Sequence, residues 1–232
     1  MKILVVNPNS TQSMTDKIVS AAQAAASPGV TILGATAAGA PASIEGHFDE
    51  AMSLQGLLMQ VAAAEEQGVD GVVVACFDDP GIGACRELAS GPVLGICEAA
   101  VKAASMLATS FSVVTTLPRS VPVIEHLIHG YGLSHSCRRV RAAAIPVLAL
   151  EEEGSGARDK IRAEILRAIE EDHCEAVVLG CAGMADLTQW LSAECGIPVI
   201  DGVTVATRMV EALAGCGLGT SKINAYAKPN MK

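Results

Sequence analysis

The sequence has few aromatic residues and little positive charge. Aromatic residues make up only 3% of the 232 residues, so the core has to be built from Val, Ile, Leu and Ala. Such a core suits a parallel sheet covered by Ala-rich helices. The chain carries 16 Lys and Arg against 25 Asp and Glu, a net charge of −9, and it has no basic run. Phosphate binding needs clustered Lys and Arg, which argues against a nucleic-acid partner.

Long apolar segments and familiar cofactor motifs are also missing. No apolar stretch reaches the about 18 residues that would span a membrane, so we expect no membrane partner. The chain enters a strand at Lys2 without the features of a signal peptide, which predicts a cytoplasmic protein. Glycine-rich phosphate motifs are absent, and the eight cysteines form no CxxC pair. We therefore expect no metal site, and free thiols in a reducing compartment.

Two matching segments are the most informative feature that the sequence does contain. Gly71–Cys76 and Ala176–Cys181 are short apolar runs that each end in cysteine, and the two cysteines are 105 positions apart. Runs of this kind predict buried parallel strands. In parallel α/β sheets the chemistry takes place just beyond the carboxyl ends of the strands. The pattern therefore predicts that Cys76 and Cys181 occupy two equivalent catalytic positions.

Strand-like and helix-like segments alternate along the whole chain, which predicts an α/β fold with parallel strands. Strand-like runs fall at about 2–6, 30–35, 71–76, 92–96, 111–115, 138–145, 175–181 and 197–200. Helical patterns fall near 12–26, 50–68, 81–90, 98–108, 120–130, 157–172, 184–195 and 203–215.

The second half of this pattern repeats the first. The fourth strands, at Pro92 and Pro198, are offset by 106 positions, close to the offset of the cysteines. We infer an internal duplication that gives two lobes related by a pseudo-twofold axis, each a four-stranded parallel sheet flanked by helices. The predicted lobes are 1–96 plus 208–232 and 97–207, with the active site in the cleft between them.

Each of the two cysteines precedes the predicted start of a helix. Asp79 suits the N-cap and Pro80 the first turn of the helix that follows Cys76. The N–H groups of a helix N-terminus can lower a thiol pKa below about 8.5 and can bind an enolate oxygen. A single cysteine at a strand end is more often a small buried residue, and we interpret the other six in that way. The matched pair favours proton removal on one face of a carbon and its return on the other.

Polar loops follow the first strand of each half. Asn7–Thr11 and Thr115–Ser120 offer hydroxyls, amides and the guanidinium of Arg119 to hold the carbonyl and N–H groups of a small ligand. Ordinary turn and cap chemistry is the alternative interpretation. The segment Ala42–His47 is placed to cover the cleft, although it could equally be a solvated connection. The lone His47 lacks partners at metal-ligand spacing, which argues against a metal ligand.

Several short motifs, taken in order, resemble those of the hydantoin racemases, which belong to the aspartate/glutamate racemase superfamily. The resemblance runs from the first strand to about residue 226. The motifs are Asn7–Ser10, Pro41–His47, Ala75–Gly81, Thr115–Ser120, Val178–Met184 and Pro198–Val203.

The resemblance implies cofactor-independent racemisation at C5 of a 5-monosubstituted hydantoin, with Cys76 and Cys181 as acid and base. It also implies a small-molecule substrate, no bound metal and a homo-oligomer. Ile44 and Phe77 are candidates to hold the 5-substituent. The substrate-binding residues expected on this basis are Asn9, Ser43, Ile44, Phe77, Asp78, Thr115, Thr116, Arg119, Ala182 and Gly183.

Three other functions remain open at this point. Allantoin racemases of purine catabolism share most of these motifs, and allantoin is itself a 5-substituted hydantoin. An isomerase or a decarboxylase of dicarboxylates is a further possibility. A dicarboxylate isomerase should need several cationic groups at the cleft, and Arg119 is the only obvious candidate in the sequence. Arylmalonate decarboxylases keep only the second cysteine, whereas this chain has both. A two-lobed binding protein without enzymatic activity is the third alternative.

Overall fold

The structure is a computed structural model that describes residues 1–152 and 154–230. Strands and helices alternate throughout the described residues. The strands are β1 Lys2–Asn7, β2 Thr31–Thr36, β3 Gly71–Val74, β4 Val93–Gly95, β5 Phe111–Thr115, β6 Cys137–Ala142, β7 Ala176–Leu179 and β8 Val199–Asp201. The helices are α1 Gln12–Ala25, α2 His47–Glu66, α3 Ile82–Leu88, α4 Ile96–Leu107, α5 Val121–Gly130, α6 Ala157–Arg167, α7 Thr188–Cys195 and α8 Gly202–Gly215.

The strands form two parallel sheets with the same connectivity. The first sheet has the order β2-β1-β3-β4 and the second has the order β6-β5-β7-β8. In the first sheet Val5 lies opposite Val73, and in the second Val113 lies opposite Val178. The predicted two-lobed α/β fold with a four-stranded parallel sheet in each lobe is confirmed.

Alternating side chains on each central strand enter two different cores. Val73 of β3 and Val178 of β7 face one large core that both lobes share with α4 and α8. Val72 packs into an outer core with α2 and α3, while Val177 packs into a separate outer core with α6 and α7. Because both faces of these strands are buried, the strands read as continuous apolar runs in the sequence.

Both cysteines lie two residues beyond the end of a strand. The last ladder bonds are donated by the N–H of Ala75 to Val6 and by the N–H of Gly180 to Val114. The next residue in each case is the cysteine, which is free of sheet pairing. The predicted strands 71–76 and 175–181 are therefore each too long by two residues at their carboxyl ends.

The segments after the cysteines differ from the prediction. Helix α3 begins at Ile82, with Gly81 in the left-handed conformation at its N-cap. Asp79 is therefore not the N-cap of that helix, and its carboxylate instead accepts hydrogen bonds from the N–H groups at the start of α4. A 3₁₀ turn, Ala182–Leu187, follows Cys181, and α7 starts only at Thr188.

Helix α8 returns from the second sheet to the first. It packs against α1, α4 and β3, and its N-terminus touches the N-terminus of α4. These contacts support assigning residues 208–232 to the first lobe, as far as they are described, and we propose the division into 1–96 plus 208–232 and 97–207 on that basis.

The contact between α4 and α8 leaves no room for a side chain at Gly202. An added Cβ would overlap the carbonyl oxygen of Ile96, a backbone atom that cannot rotate away. We expect Gly202→Ala to lower the free energy of unfolding by about 1–3 kcal/mol or more through overpacking. Urea unfolding measures the change. The control is Gly83→Ala in α3, where an added Cβ meets open space, and which should be neutral or slightly stabilising. Equal midpoints for the two variants would contradict the prediction.

Candidate active site

One small cavity lies where the two lobes meet, beyond the carboxyl ends of the strands. Its volume is about 30 Å³, which is room for one or two water molecules. Nine of the residues predicted from the sequence line it, namely Asn9, Ile44, Cys76, Phe77, Asp78, Thr115, Thr116, Cys181 and Ala182.

Cys76 comes from the first lobe and is surrounded by acidic groups. Burial raises the pKa of the Cys76 thiol well above its usual value, and the carboxylate of Asp78 raises it further. The backbone N–H of Asp78 donates to the sulfur and opposes this rise. Asp78 is itself buried, and burial together with the nearby Glu50 raises its pKa to about 6.

Cys181 faces the same cavity from the second lobe in a different electrostatic environment. Burial raises the pKa of Cys181 to about 11. The N–H of Gly183 and the ammonium of Lys17 lower it, while Asp78 acts in the opposite direction. Lys17 forms an ion pair with Glu151 at 2.7 Å, so α1 of the first lobe contacts the second lobe close to Cys181.

The thiol pKa values differ from the sequence-based prediction. One backbone N–H does reach each sulfur atom, from Asp78 to Cys76 and from Gly183 to Cys181, but neither donor belongs to the N-terminus of an α-helix as predicted. However, burial outweighs them, and neither pKa falls below that of a free thiol. Both cysteines are therefore protonated near neutral pH in this structure, and a thiolate formed here is a stronger base than a solvent-exposed one.

Asn9 is held in a fixed orientation by its neighbours. Its side-chain oxygen accepts hydrogen bonds from Asn7 Nδ2 at 2.8 Å and from the N–H of Thr11 at 3.0 Å. Its Nδ2 donates to the sulfur of Met14 at 3.1 Å, and sulfur is a weak acceptor. The oxygen is thus engaged with the protein, whereas the amide nitrogen is the better placed group to donate to a ligand.

Thr115 and Thr116 differ in how far they are engaged with the protein. The Thr115 hydroxyl donates to the carbonyl of Gly180 at 2.9 Å, next to Cys181. Its proton is therefore used to hold the end of β7 in place. Thr116 is buried and lines the cavity, and its backbone carbonyl accepts a hydrogen bond from Ile145.

The predicted covering loop, which runs up to Gly46 before α2, contacts the second lobe. Ile44 is buried and faces the cavity. Glu45 was not predicted from the sequence, yet its carboxylate accepts hydrogen bonds from the N–H of Val147 at 3.1 Å and from Ser43 Oγ at 3.4 Å. Glu45 therefore connects the loop of one lobe to the other lobe.

Three predicted binding residues lie outside the cavity lining. Ser43 contacts Glu45, and Gly183 reaches the site only through its N–H to Cys181. Arg119 is exposed, and its guanidinium packs over Gly46. Met14 and Val147 also line the cavity and were not predicted to do so, whereas Ser120 belongs to the polar loop Thr115–Ser120 that was predicted to hold a ligand. Val147 is placed by its contact with Glu45 of the other lobe, for which the local sequence has no signal.

No group of three or more His, Cys, Asp or Glu side chains in the described part of the chain is arranged to hold a metal ion. Within the same residues, no helix has the length and apolar character needed to cross a membrane.

Comparison with known proteins identifies the family. The sequence model of the Asp/Glu/Hydantoin racemase family matches residues 3–210. The chain belongs to this family. Both cysteines and the whole of residues 97–207 lie within the matched residues.

Three similar proteins cover the whole of this chain. A hydantoin racemase of Rhizobium meliloti is 51% identical, with 96% of its own length covered. A hydantoin racemase of Pseudomonas sp. (strain NS671) is 43% identical, with 93% covered. The solved structure of an allantoin racemase from Klebsiella pneumoniae is 50% identical, has a TM-score of 0.98 and is 95% covered. The family and these relatives make this protein an isomerase of the racemase type.

The high thiol pKa of Cys181 predicts how its reactivity depends on pH. The thiolate is the nucleophile, and below a pKa of about 11 its fraction increases with pH. We expect alkylation of Cys181 by iodoacetamide to accelerate about tenfold per pH unit between about pH 7 and pH 10, without a plateau. Peptide mass spectrometry resolves the eight cysteines, and exposed Cys216 is the internal reference. A plateau near about pH 8.5, as for a free thiol, would contradict the prediction.

The carboxylate of Asp78 acts on the thiol of Cys76, so removing its charge should change the reactivity of that thiol. Asp78 is ionised at about pH 8, since its pKa is about 6. Its charge disfavours the thiolate of Cys76, so Asp78→Asn should lower the pKa of that thiol and accelerate its alkylation severalfold. Asp16→Asn, which removes an exposed carboxylate from α1, is the matched control and should have no effect. Slower alkylation of Cys76 in Asp78→Asn would show that the assigned sign is wrong.

Proposed function

We propose that this enzyme racemises 5-monosubstituted hydantoins at C5, without a cofactor, by a two-base mechanism in which Cys76 and Cys181 transfer the proton. The observation that carries the proposal is that the two thiols, one from each lobe, line the same small cavity. One thiolate removes the C5 proton, and the opposite thiol delivers a proton to the other face of the ring. The two cysteines then exchange roles for the reverse direction.

The chemistry of the substrate suits unaided thiols. The C5 proton of a hydantoin lies next to a ring carbonyl, and its conjugate base is an enolate. This makes C5–H more acidic than the α-proton of a free amino acid, so no pyridoxal electron sink is required. Burial of Cys76 and Cys181 raises their basicity, which narrows the gap in proton affinity between thiolate and carbon.

The polar lining residues fit the edge of a hydantoin ring. Asn9 Nδ2 is oriented to donate to a ring carbonyl, where negative charge develops in the enolate. The Thr116 hydroxyl can assist, and the carboxylate of Asp78 can accept from a ring N–H. None of the described residues that line the cavity is Lys or Arg, which disfavours a dicarboxylate substrate.

Apolar lining residues favour an alkyl or aryl 5-substituent. Met14, Ile44, Phe77 and Val147 contribute apolar surface to the cavity. Allantoin is the second candidate substrate, because the 50% identical solved structure is an allantoin racemase. Its ureido substituent is polar and would have to bind near Thr116 or Ser120 instead.

The assembly and the location of the enzyme are also part of the proposal. Phe48, Met52 and Met59 are exposed along α2 and give that helix an apolar outer face, which supports a homo-oligomer. All eight cysteines are free, which supports a reducing, cytoplasmic location.

The deciding experiment is proton NMR in deuterated water with single enantiomers, together with optical rotation. The substrates are allantoin and the benzyl-, isobutyl- and methylthioethyl-hydantoins, each with an enzyme-free control. We expect exchange of C5–H accompanied by loss of rotation. Cys76→Ser and Cys181→Ser should each lower racemisation by about 10²–10⁴-fold, and each should exchange C5–H of only one enantiomer, opposite for the two variants.

Cys216→Ser is the matched control, because Cys216 is exposed at the end of α8, and it should retain full activity. Full racemisation by either active-site variant would overturn the two-thiol mechanism. Absence of exchange with every substrate would overturn the hydantoin assignment. The substrate that exchanges fastest distinguishes a hydantoin racemase from an allantoin racemase.

A further inference from the structure

Asp79 adopts a backbone conformation that is unusual for its residue type. Its φ is 45°, in the left-handed region, and its N–H donates to the carbonyl of Cys76 at 3.0 Å. The turn that carries Cys76 is therefore closed by Asp79. Left-handed conformations of residues other than glycine persist only where the surrounding structure holds them in place.

Three hydrogen bonds hold the Asp79 side chain. Its carboxylate accepts from the N–H of Cys97 at 3.0 Å and from the N–H of Glu98 at 2.8 Å, at the start of α4. The third donor is the hydroxyl of Tyr131, at 2.6 Å. The carboxylate also occupies the space beside Gly95, where an added Cβ would overlap it. Asp79 is 6% exposed, so these contacts replace its hydration.

All three donors belong to the second lobe as divided above, and Tyr131 is the one that reaches Asp79 with its side chain. It follows α5, which lies in the half of the chain that also carries Cys181. Neither Asp79 nor Tyr131 is among the described residues that line the cavity, so neither is placed to touch a substrate. Burying a carboxylate is costly, and an apolar residue would commonly serve stability as well or better. Burial raises the pKa of Asp79 to about 7 even with these three donors, so the carboxyl group is kept here at a cost, and control of geometry explains its presence better than stability does.

We propose that Asp79 and Tyr131 are positioning residues, whose hydrogen bond across the lobes fixes Cys76 at the distance from Cys181 that proton transfer through the substrate requires. This inference rests on the proposed racemase mechanism and deepens it. It assigns no chemical step to either residue. Their effect is exerted on Cys76, because only the Cys76 turn is bonded to Asp79, whereas Cys181 is held by Thr115 and Gly183.

The test variant is Tyr131→Phe, which removes one hydroxyl and keeps the ring. It is combined separately with Cys181→Ser, where Cys76 is the remaining thiol, and with Cys76→Ser, where Cys181 remains. We expect C5–H exchange to fall at least about tenfold in the first background and to stay within about twofold in the second, since small displacements of a reacting group cost large factors in rate. The substrate KM should change little, because the hydroxyl lies outside the cavity lining.

The matched control is Tyr226→Phe, which removes a tyrosine hydroxyl near Arg86 at the end of the described chain. It should leave exchange unchanged in both backgrounds. Equal losses in the two backgrounds for Tyr131→Phe would indicate general destabilisation and overturn the proposal. No loss in either background would overturn it as well.

A second measurement does not depend on the substrate. With both cysteines present, Tyr131→Phe should increase alkylation of Cys76 by iodoacetamide at least about threefold relative to Cys181, because the loosened turn exposes that thiol. An unchanged ratio would overturn the positioning role. If no background exchanged C5–H with any substrate, that result would contradict the proposed function. The positioning role would then be decided by the ratio of Cys76 to Cys181 alkylation alone.

Discussion

The contact between the N-termini of α4 and α8 is the constraint on which the rest of the structure depends. Each helix begins directly after the last strand of its sheet, so Gly202 against Ile96 brings β4 and β8 together at their carboxyl ends. The neighbouring strands β3 and β7 then end at the same place. Because each cysteine lies two residues beyond its strand, packing of two helices is enough to direct both thiols into one cavity.

Burial around this contact determines the chemistry that the cavity supports. The two cysteines are partly buried and Asp78 and Asp79 are buried, and burial raises the pKa of each of these four groups. Burial thus makes ionisation costly and, for the same reason, makes any thiolate a strong base. The loop from one lobe and Val147 from the other meet at this cavity through the hydrogen bond to Glu45.

The parts of the fold that depend on local pattern could be predicted from the sequence, and those that depend on distant contacts could not. Apolar runs such as Val72–Val74 are visible because burial on both faces leaves only apolar residues. The offset between Cys76 and Cys181 is close to the offset between the fourth strands of the two halves, and this agreement revealed the duplication. The turn after Cys76 was mispredicted because Asp79 has the features of a helix cap, and only the folded chain brings α4 and Tyr131 to its carboxylate. Glu45 and Val147 are likewise 102 residues apart.

The duplicated topology places two like groups in unlike surroundings, since only acidic side chains act on the charge of Cys76, whereas Lys17 partly offsets the effect of Asp78 and Glu151 at Cys181. Mirror-image substrates have equal free energies in water, so the equilibrium constant between them is fixed at unity whatever the protein does. The asymmetry of the two lobes cannot favour either product. Under the proposed two-thiol mechanism, what it can set is which thiol holds the proton between turnovers, and therefore which enantiomer of the substrate reacts first.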